Sequence, residues 1–328
     1  MVSFIDAHRA LAFLLDTPAI SAQFAAHERE ATRAKRFYTA LGVFSLGAAF
    51  LTLTALISAL TLNRELANPA FTMSMGGLGV AGVVAQWALL FGPFKKRWLQ
   101  ARFAAERVRS IKFQAFAAFG VAPAERAVAA EAFVQRRLAH LGLELSTGLA
   151  ALHDFDPEAS LGDIGAETAP LSLDELKELK SVYDELRLAY QIKHATGKLR
   201  DIAEERRVPA AASEVTFWGG AAIGYLDLIL AFEPLRQYGA GWESTRHFLT
   251  LFLFVSAAIL FVLERGRSHN AALERYEDYR FELTRIAGAL DRAKSGEDFV
   301  TCVRQAERAA MRELKAFCRE SEKSTYLF

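Results

Sequence analysis

The sequence predicts an all-α, polytopic membrane protein: two tandem two-helix transmembrane hairpins, each flanked by long amphipathic cytoplasmic helices. Three observations predict it. Uncharged apolar runs of membrane-crossing length recur in pairs. Densely charged stretches with helical periodicity bracket each pair. Basic residues gather on the same side of both pairs. A hydrocarbon core about 30 Å thick needs about 20 apolar residues in a helix, and that length sets the scale for reading the chain.

Between Arg36 and Arg64 no charge interrupts FYTALGVFSLGAAFLTLTALISALTLN, so the first span covers about residues 37–62. Between Glu65 and Lys95 the run LANPAFTMSMGGLGVAGVVAQWALLFGPF is again uncharged and gives a second span over about 67–94. Only Arg64 and Glu65 separate the two, so they form a tight hairpin. The third run, VTFWGGAAIGYLDLILAF over 215–232, is interrupted by Asp227. A buried soluble helix is the alternative there. Its length, the interfacial Trp218 and Trp242, and a fourth run, HFLTLFLFVSAAILFVL over 247–263, favour a span.

Orientation follows from the Lys/Arg bias of the flanks. Arg29, Arg33, Lys35 and Arg36 precede the first span; Lys95, Lys96 and Arg97 follow the second. Arg206 and Arg207 precede the third, and Arg265 and Arg267 follow the fourth. Both termini are therefore expected in the cytoplasm, with Arg36, Lys95, Lys96, Arg97, Arg265 and Arg267 as basic anchors at the membrane flank.

The rest of the chain reads as helix. Thr17-Pro18 is a helix start, and that helix can run straight into the first span. WLQARFAAERVRSIKFQAFAAF carries a helical pattern to Gly120, and Pro123 opens another helix to about Leu152. HDFDPEASLGDIGAETAPLSLDE is acidic, rich in Gly, Pro and Ser, and without periodicity, so it reads as a linker. Ser172 and Glu175 form an S-x-x-E capping box opening a long helix that Pro209 is expected to end. Asn270 to Glu320 reads as nearly continuous helix, with Leu273, Tyr276, Tyr279, Leu283, Ile286 and Leu290 at steps of three and four. The expected domains are a first two-transmembrane helical domain over 1–120, a helix plus acidic linker over 121–171, and a second two-transmembrane domain over 172–328.

Composition narrows function. The chain of 328 residues carries 39 basic and 38 acidic residues, net +1, without the basic excess of a nucleic-acid binder. Its two cysteines, Cys302 and Cys318, form no CxxC and fit a reducing compartment without disulfides. The N-terminus MVSFIDAHRALAFLL lacks a basic n-region and a small-residue cleavage site, so a secretory leader is not expected. The seven histidines form no HExxH or i,i+4 pair. No nucleophile elbow, Walker loop or Ser-His-Asp set is visible. No enzyme activity, cofactor or metal is expected.

Gly77, Gly79 and Gly82 match G-x-G-x-x-G, but inside an uncharged span and without the acidic residue that a dinucleotide fold places about twenty positions on. Close helix approach is the better reading, and it extends to Gly220 and Gly224. Asp227 lies within a span, where a carboxylate costs about 2.5–3.5 kcal/mol and such residues face a bundle interior or wet cavity. Two placements stand: a pore-lining acid, or a displaced span with Asp227 near the outer interface beside Glu233. Gln86 is a further intramembrane polar candidate, either lining or held in a structural hydrogen bond.

Two stretches resemble a known family. WLQARFAAERVRSIKFQAF, after the second span, resembles the W…R…AE…(K/R)S signature following the hairpin of SLATT proteins, the SMODS- and SLOG-associating two-transmembrane effector domains. SVYDELRLAYQIKHATGKL, before the third, resembles the Y…ER…Q…Y…KA pattern of another SLATT subtype, departing from it in that the usual second aromatic is His194 or lies elsewhere. The tail, RYEDYRFELTRIAGAL and VRQAERAAMRELKAFCRES, resembles the family's closing helices.

A tandem of two SLATT domains would cover nearly the whole chain. The resemblance implies a bacterial inner-membrane effector of an antiviral or conflict system. Such an effector homo-oligomerises to form a pore or disrupt the bilayer when a separate sensor or nucleotide-signal-producing partner activates it. The alternatives are a non-conducting scaffold recruiting a cytosolic partner through its long helices and, third, a small ion transporter.

Overall fold

The computed structural model describes Leu11, Leu14 and residues 17–61, 69–120, 126–146, 172–230, 242–266 and 269–323. The elements among them are all helical. The first, α1 (Pro18–Thr61), starts at Thr17, whose carbonyl accepts the Ser21 amide at 3.0 Å and whose hydroxyl donates back to the Leu14 carbonyl. Pro18 takes the first helical position, where no N–H is needed. The helix then runs unbroken from charged sequence into the first apolar run.

α2 (Pro69–Phe91) and α3 (Phe94–Gly120) are separated by a bend at Gly92 and Pro93. Proline biases the residue before it away from helical backbone, and a side chain at Gly92 would meet the Ala88 carbonyl and the Phe94 ring. α4 covers Arg126–Ser146. The expected helix start at Pro123, the loop at Arg64 and Glu65, the residues after Ser146 and the linker up to Leu171 lie outside the described residues.

α5 (Leu173–Tyr183) opens with the expected capping box: the Glu175 amide donates to Ser172 Oγ at 3.2 Å, and the Ser172 amide to Glu175 Oε2 at 2.9 Å. A π-helical turn, Asp184–Leu188, follows and leads directly into α6 (Ala189–Leu230). The helix therefore does not end at Pro209. Proline removes one backbone donor, but the turns on either side keep their hydrogen bonds and the helix continues.

α7 covers Glu243–Gly266, α8 His269–Arg292 and α9 Gly296–Lys323. The nearly continuous tail helix expected from Asn270 is present but broken once, over 293–295, where it folds back as a helical hairpin. Ser295 and Asp298 stop and restart it: the Asp298 amide donates to Ser295 Oγ at 3.1 Å, and Asp298 Oδ2 accepts the Lys294 and Ser295 amides. Arg275 to Glu313 at 2.9 Å and Arg312 to Glu282 at 2.6 Å then join the two antiparallel arms. Each arm has one apolar face, and folding back lets both be buried.

The helices group into two compact units. One takes Met1–Lys35, Lys95–Asp201 and Asn270–Lys323; the other takes Arg36–Phe94, Ile202–His269 and Ser324–Phe328. Each draws on both halves of the sequence. The first unit is a charged bundle with a continuous apolar core that includes Ile20, Val108, Phe116, Val134, Leu179, Ile286 and Val303. Tyr183 sits among aromatic rings: Phe113 at 5.8 Å, Phe299 at 6.0 Å and Phe116 at 6.1 Å between centroids.

The second unit holds the apolar helices. Among the described residues, three stretches are long and apolar enough to cross a membrane: Pro18–Ala59, Met73–Phe91 and Glu243–Phe261. Only 22 %, 17 % and 6 % of their apolar windows are buried, so their large side chains face outward. The third expected span is helical as far as Leu230 but is not among these three.

Candidate functional site

In the apolar unit, α1 and α2 meet across small and polar side chains. A Cβ on Gly82 would stand 2.8 Å from the Ala48 Cβ, and one on Gly79 would stand 3.1 Å from Thr52 Cγ2. Ser45, buried in this contact, donates toward the Gly82 carbonyl at 3.2 Å and toward Gln86 Oε1 at 3.1 Å. Gln86 is thus held by its neighbour helix. A Cβ on Gly77 would meet nothing within 4 Å.

Gly220 and Gly224 on α6 face α7: their added Cβ atoms would stand 3.3 Å from Leu253 and 3.4 Å from Thr250. Phe50 and Phe252, 5.7 Å apart between centroids, bring α1 against α7. Glycines allow such approach because dispersion between close backbones replaces the missing hydrophobic drive in lipid. Asp227 lies in α6, but its side chain and that of Arg265 are outside the described atoms, as are Glu233 and Arg267 entirely. Outward-facing side chains in this unit include Val83, Trp87, Phe91 and Trp218.

The charged bundle holds a feature that periodicity alone did not flag. Arg187, in the π-helical turn, donates from Nε to Glu307 Oε1 at 2.7 Å and from Nη2 to Oε2 at 2.9 Å. Both side chains are buried, at 3 % and 0 % exposure. The guanidinium also lies over the Phe113 ring at 4.7 Å. Burial acts to lower the Arg187 pKa, but the Glu307 carboxylate outweighs it and raises the value. Arg187 Nη1 and the Tyr183 hydroxyl are buried without a hydrogen-bond partner among the described residues. Burial, with Glu307 next in weight, pushes the Tyr183 phenol well above its ordinary value.

A second polar cluster joins α1, α3, α8 and α9. Arg102 reaches Glu28 at 3.3 Å and Glu106 at 2.7 Å, and Arg109 also reaches Glu106 at 2.9 Å. Arg275 pairs with Glu313 and lies over the Tyr276 ring, which packs edge-on to His194. Burial raises the Glu313 carboxyl, with Arg275 acting against it, and pushes the Cys318 thiol up to about 12. A thiol so placed is not a nucleophile at neutral pH.

Of the basic anchors, Arg36, Lys96 and Arg97 are exposed, while Lys95 donates to the Glu322 carbonyl at 2.8 Å and so caps the end of α9. Burial lowers the Lys95 pKa, with Glu322 acting against it. Among the described residues no three His, Cys, Asp or Glu side chains come together as a metal ion would require. The signal for the Arg187–Glu307 pair was present only as an arginine and a glutamate on apolar helix faces, 120 residues apart.

No family model matches the chain, and no curated protein or solved structure shows significant similarity to it.

Proposed function

We propose that this chain is a membrane effector that self-associates through its apolar helices and opens a pore or disrupts the bilayer. In this reading it is a tandem SLATT-type protein of a bacterial antiviral or conflict system. It sits in the inner membrane with both termini cytoplasmic. A separate sensor or nucleotide-signal component triggers it through the charged bundle.

The observation that carries the membrane part is the outward face of the apolar helices. Trp87, Phe91, Val83 and Trp218 are each more than 60 % exposed. Val83, Trp87 and Phe91 follow one another at steps of four along α2, and an exposed apolar face of this kind marks a membrane or protein contact. The antiviral setting rests on the residues of α3 and of the α5–α6 region that resemble SLATT motifs. Four spans enclose no wide passage in one copy, so conduction requires several. Asp227 is then the intramembrane acid placed to line it.

The test is dye and ion leakage from liposomes carrying the purified chain, with native mass measurement in detergent. Leakage on activation that Asp227→Ala reduces supports the pore. Leakage that Asp227→Ala leaves unchanged removes its named residue, and no leakage in any state removes the pore.

The compact charged bundle supports a second reading, a non-conducting scaffold that docks a cytosolic partner. It requires partner recruitment with no change in permeability.

A further inference from the structure

We propose that the exposed face of α4 pairs with the same face of a second copy of this chain, as a short parallel coiled coil. The proposal deepens the self-association argued above and rests on that reading.

α4 buries Phe133, Val134, Leu138 and Leu141 in the core of the charged bundle and turns its other side outward. Along that outward side lie Val128, Ala132, Gln135, Ala139 and Gly142, all exposed and at alternating steps of four and three. Val128 is 80 % exposed, and Leu143, beside the stripe, is 70 % exposed. A Cβ on Gly142 would meet nothing within 4 Å. In the same bundle α8 exposes Glu274, Glu277, Asp278, Arg280 and Arg285, the composition of a solvated face. Alternating steps of four and three are the seam along which a second helix packs knobs into holes. Alanine and glycine on that seam let the two axes approach closely.

Charge identifies the occupant as a second copy and sets its direction. With Ala132 and Ala139 at a and Gln135 at d, exposed Glu131 falls at g and exposed Arg136 at e, on opposite flanks of the seam. In a parallel pair the g flank of one helix faces the e flank of the other, five residues on. Glu131 of each copy then meets Arg136 of the other, twice per pair. In an antiparallel pair like flanks meet, setting Glu131 against Glu131 and Arg136 against Arg136. Neither charge is answered within its own helix: three and four residues from Glu131 stands no cation, and from Arg136 no carboxylate. Neither has an ion-pair partner among the described residues. The other charges of α4 are engaged elsewhere: His140 stands 3.1 Å from Glu144, Glu144 also takes Arg107, and Arg137 lies over the Phe133 ring.

The experiment oxidises the full chain in detergent micelles with copper phenanthroline and reads covalent dimer on a non-reducing gel. Wild type, whose Cys302 and Cys318 are buried, is the blank. Gln135→Cys, at the centre of the seam, should give dimer well above Arg285→Cys on α8. Adding Glu131→Arg to the Gln135→Cys chain should lower the dimer about fivefold, because two exposed pairs of modest strength are lost at once. Arg136→Glu should do the same. The swap E131R/R136E should restore the yield, which a merely structural effect of either substitution would not allow.

A Gln135→Cys yield no higher than that of Arg285→Cys would overturn the proposal. So would a yield indifferent to Glu131→Arg, or a swap that stays low. Mixed Gln135→Cys and Ala139→Cys chains that join each other in excess of like pairs would show antiparallel packing and overturn it too. Slow maleimide labelling of Gln135→Cys in the monomer would show the face covered by the chain's own residues, with the same consequence. Failure of the broader reading is separate: a chain that stays monomeric by native mass defeats self-association as a whole, whereas oligomers without Gln135→Cys dimer defeat this contact alone.

Discussion

Glu307→Gln removes the negative partner from a guanidinium that cannot shed its own charge. Arginine stays protonated at any pH a protein survives, and Arg187 is 3 % exposed, so water cannot replace the carboxylate. Breaking a buried pair by removing one partner costs about 3–5 kcal/mol. The Phe113 ring, 4.7 Å from the guanidinium carbon, is there in both proteins and so leaves the difference unchanged. The expectation is a loss of about 3–5 kcal/mol from a bundle whose total stability is on the order of 5–15 kcal/mol.

Arg187→Met should behave differently. A stranded carboxylate can take up a proton, so its cost should shrink as pH falls, whereas that of Glu307→Gln should not. Arg187→Met with Glu307→Leu should restore most of the stability, because a buried pair exchanged for apolar groups of similar volume is often neutral or better. The assay is hydrogen exchange of the α5 and α9 peptides in the full chain, completed as a double-mutant cycle. A loss below about 1 kcal/mol for Glu307→Gln, the range of exposed pairs, would refute the reasoning. A coupling energy near zero would do the same.

Tyr183→Phe should be neutral or stabilising in urea unfolding, because it deletes a buried hydroxyl that makes no hydrogen bond; a loss above about 1 kcal/mol would reveal a partner for it. Gly82→Ala should cost about 1–3 kcal/mol in thermal unfolding, since its Cβ would sit 2.8 Å from Ala48. Gly77→Ala, with nothing within 4 Å, should gain up to about 1 kcal/mol from helix propensity, and equal effects at the two glycines would contradict the packing. Burial, then Arg102, Lys198 and Arg109, hold His194 below its ordinary value of 6.5, with Glu106 pulling the other way and Tyr276 on its face. The unfolded chain therefore binds this proton more readily, so His194's contribution is complete above about pH 6.5 and declines as pH falls toward the lowered value. A pH series of thermal midpoints should lose that decline in His194→Gln, and an unchanged slope would exclude His194 as its source.

The apolar runs were legible because a bilayer-length stretch without charge is a one-dimensional signal. The caps at Ser172 and Glu175 were legible because both partners lie within one turn. The break at Ser295 was harder to read. A serine and an aspartate three apart do the work of the usual S-x-x-E pair, and the apolar period resumes on the far side with no gap in composition. Pro209 misled in the opposite direction, since a proline's local cost does not decide whether neighbouring turns hold a helix together.

The residues of the two SLATT-like stretches show the same division. Trp98, Arg102, Tyr183 and Arg187 lie in the two stretches that the pattern picked out, though none of them stood out there on its own. Their place in a packed aromatic core and two ion-pair clusters depends on α1, α8 and α9, far along the chain.

By itself the sequence determined an all-helical chain, the apolar runs and their charged flanks, and the glycines that permit close approach. Each follows from forces acting within one helix: solvation of its side chains, local capping and periodicity. Only the tertiary structure decided that the charged helices of both halves build one core, that the tail folds back on itself, and that Arg187 meets Glu307 out of water. Those outcomes depend on which apolar faces bury each other and on charges brought together from distant parts of the chain, and no local pattern encodes that choice.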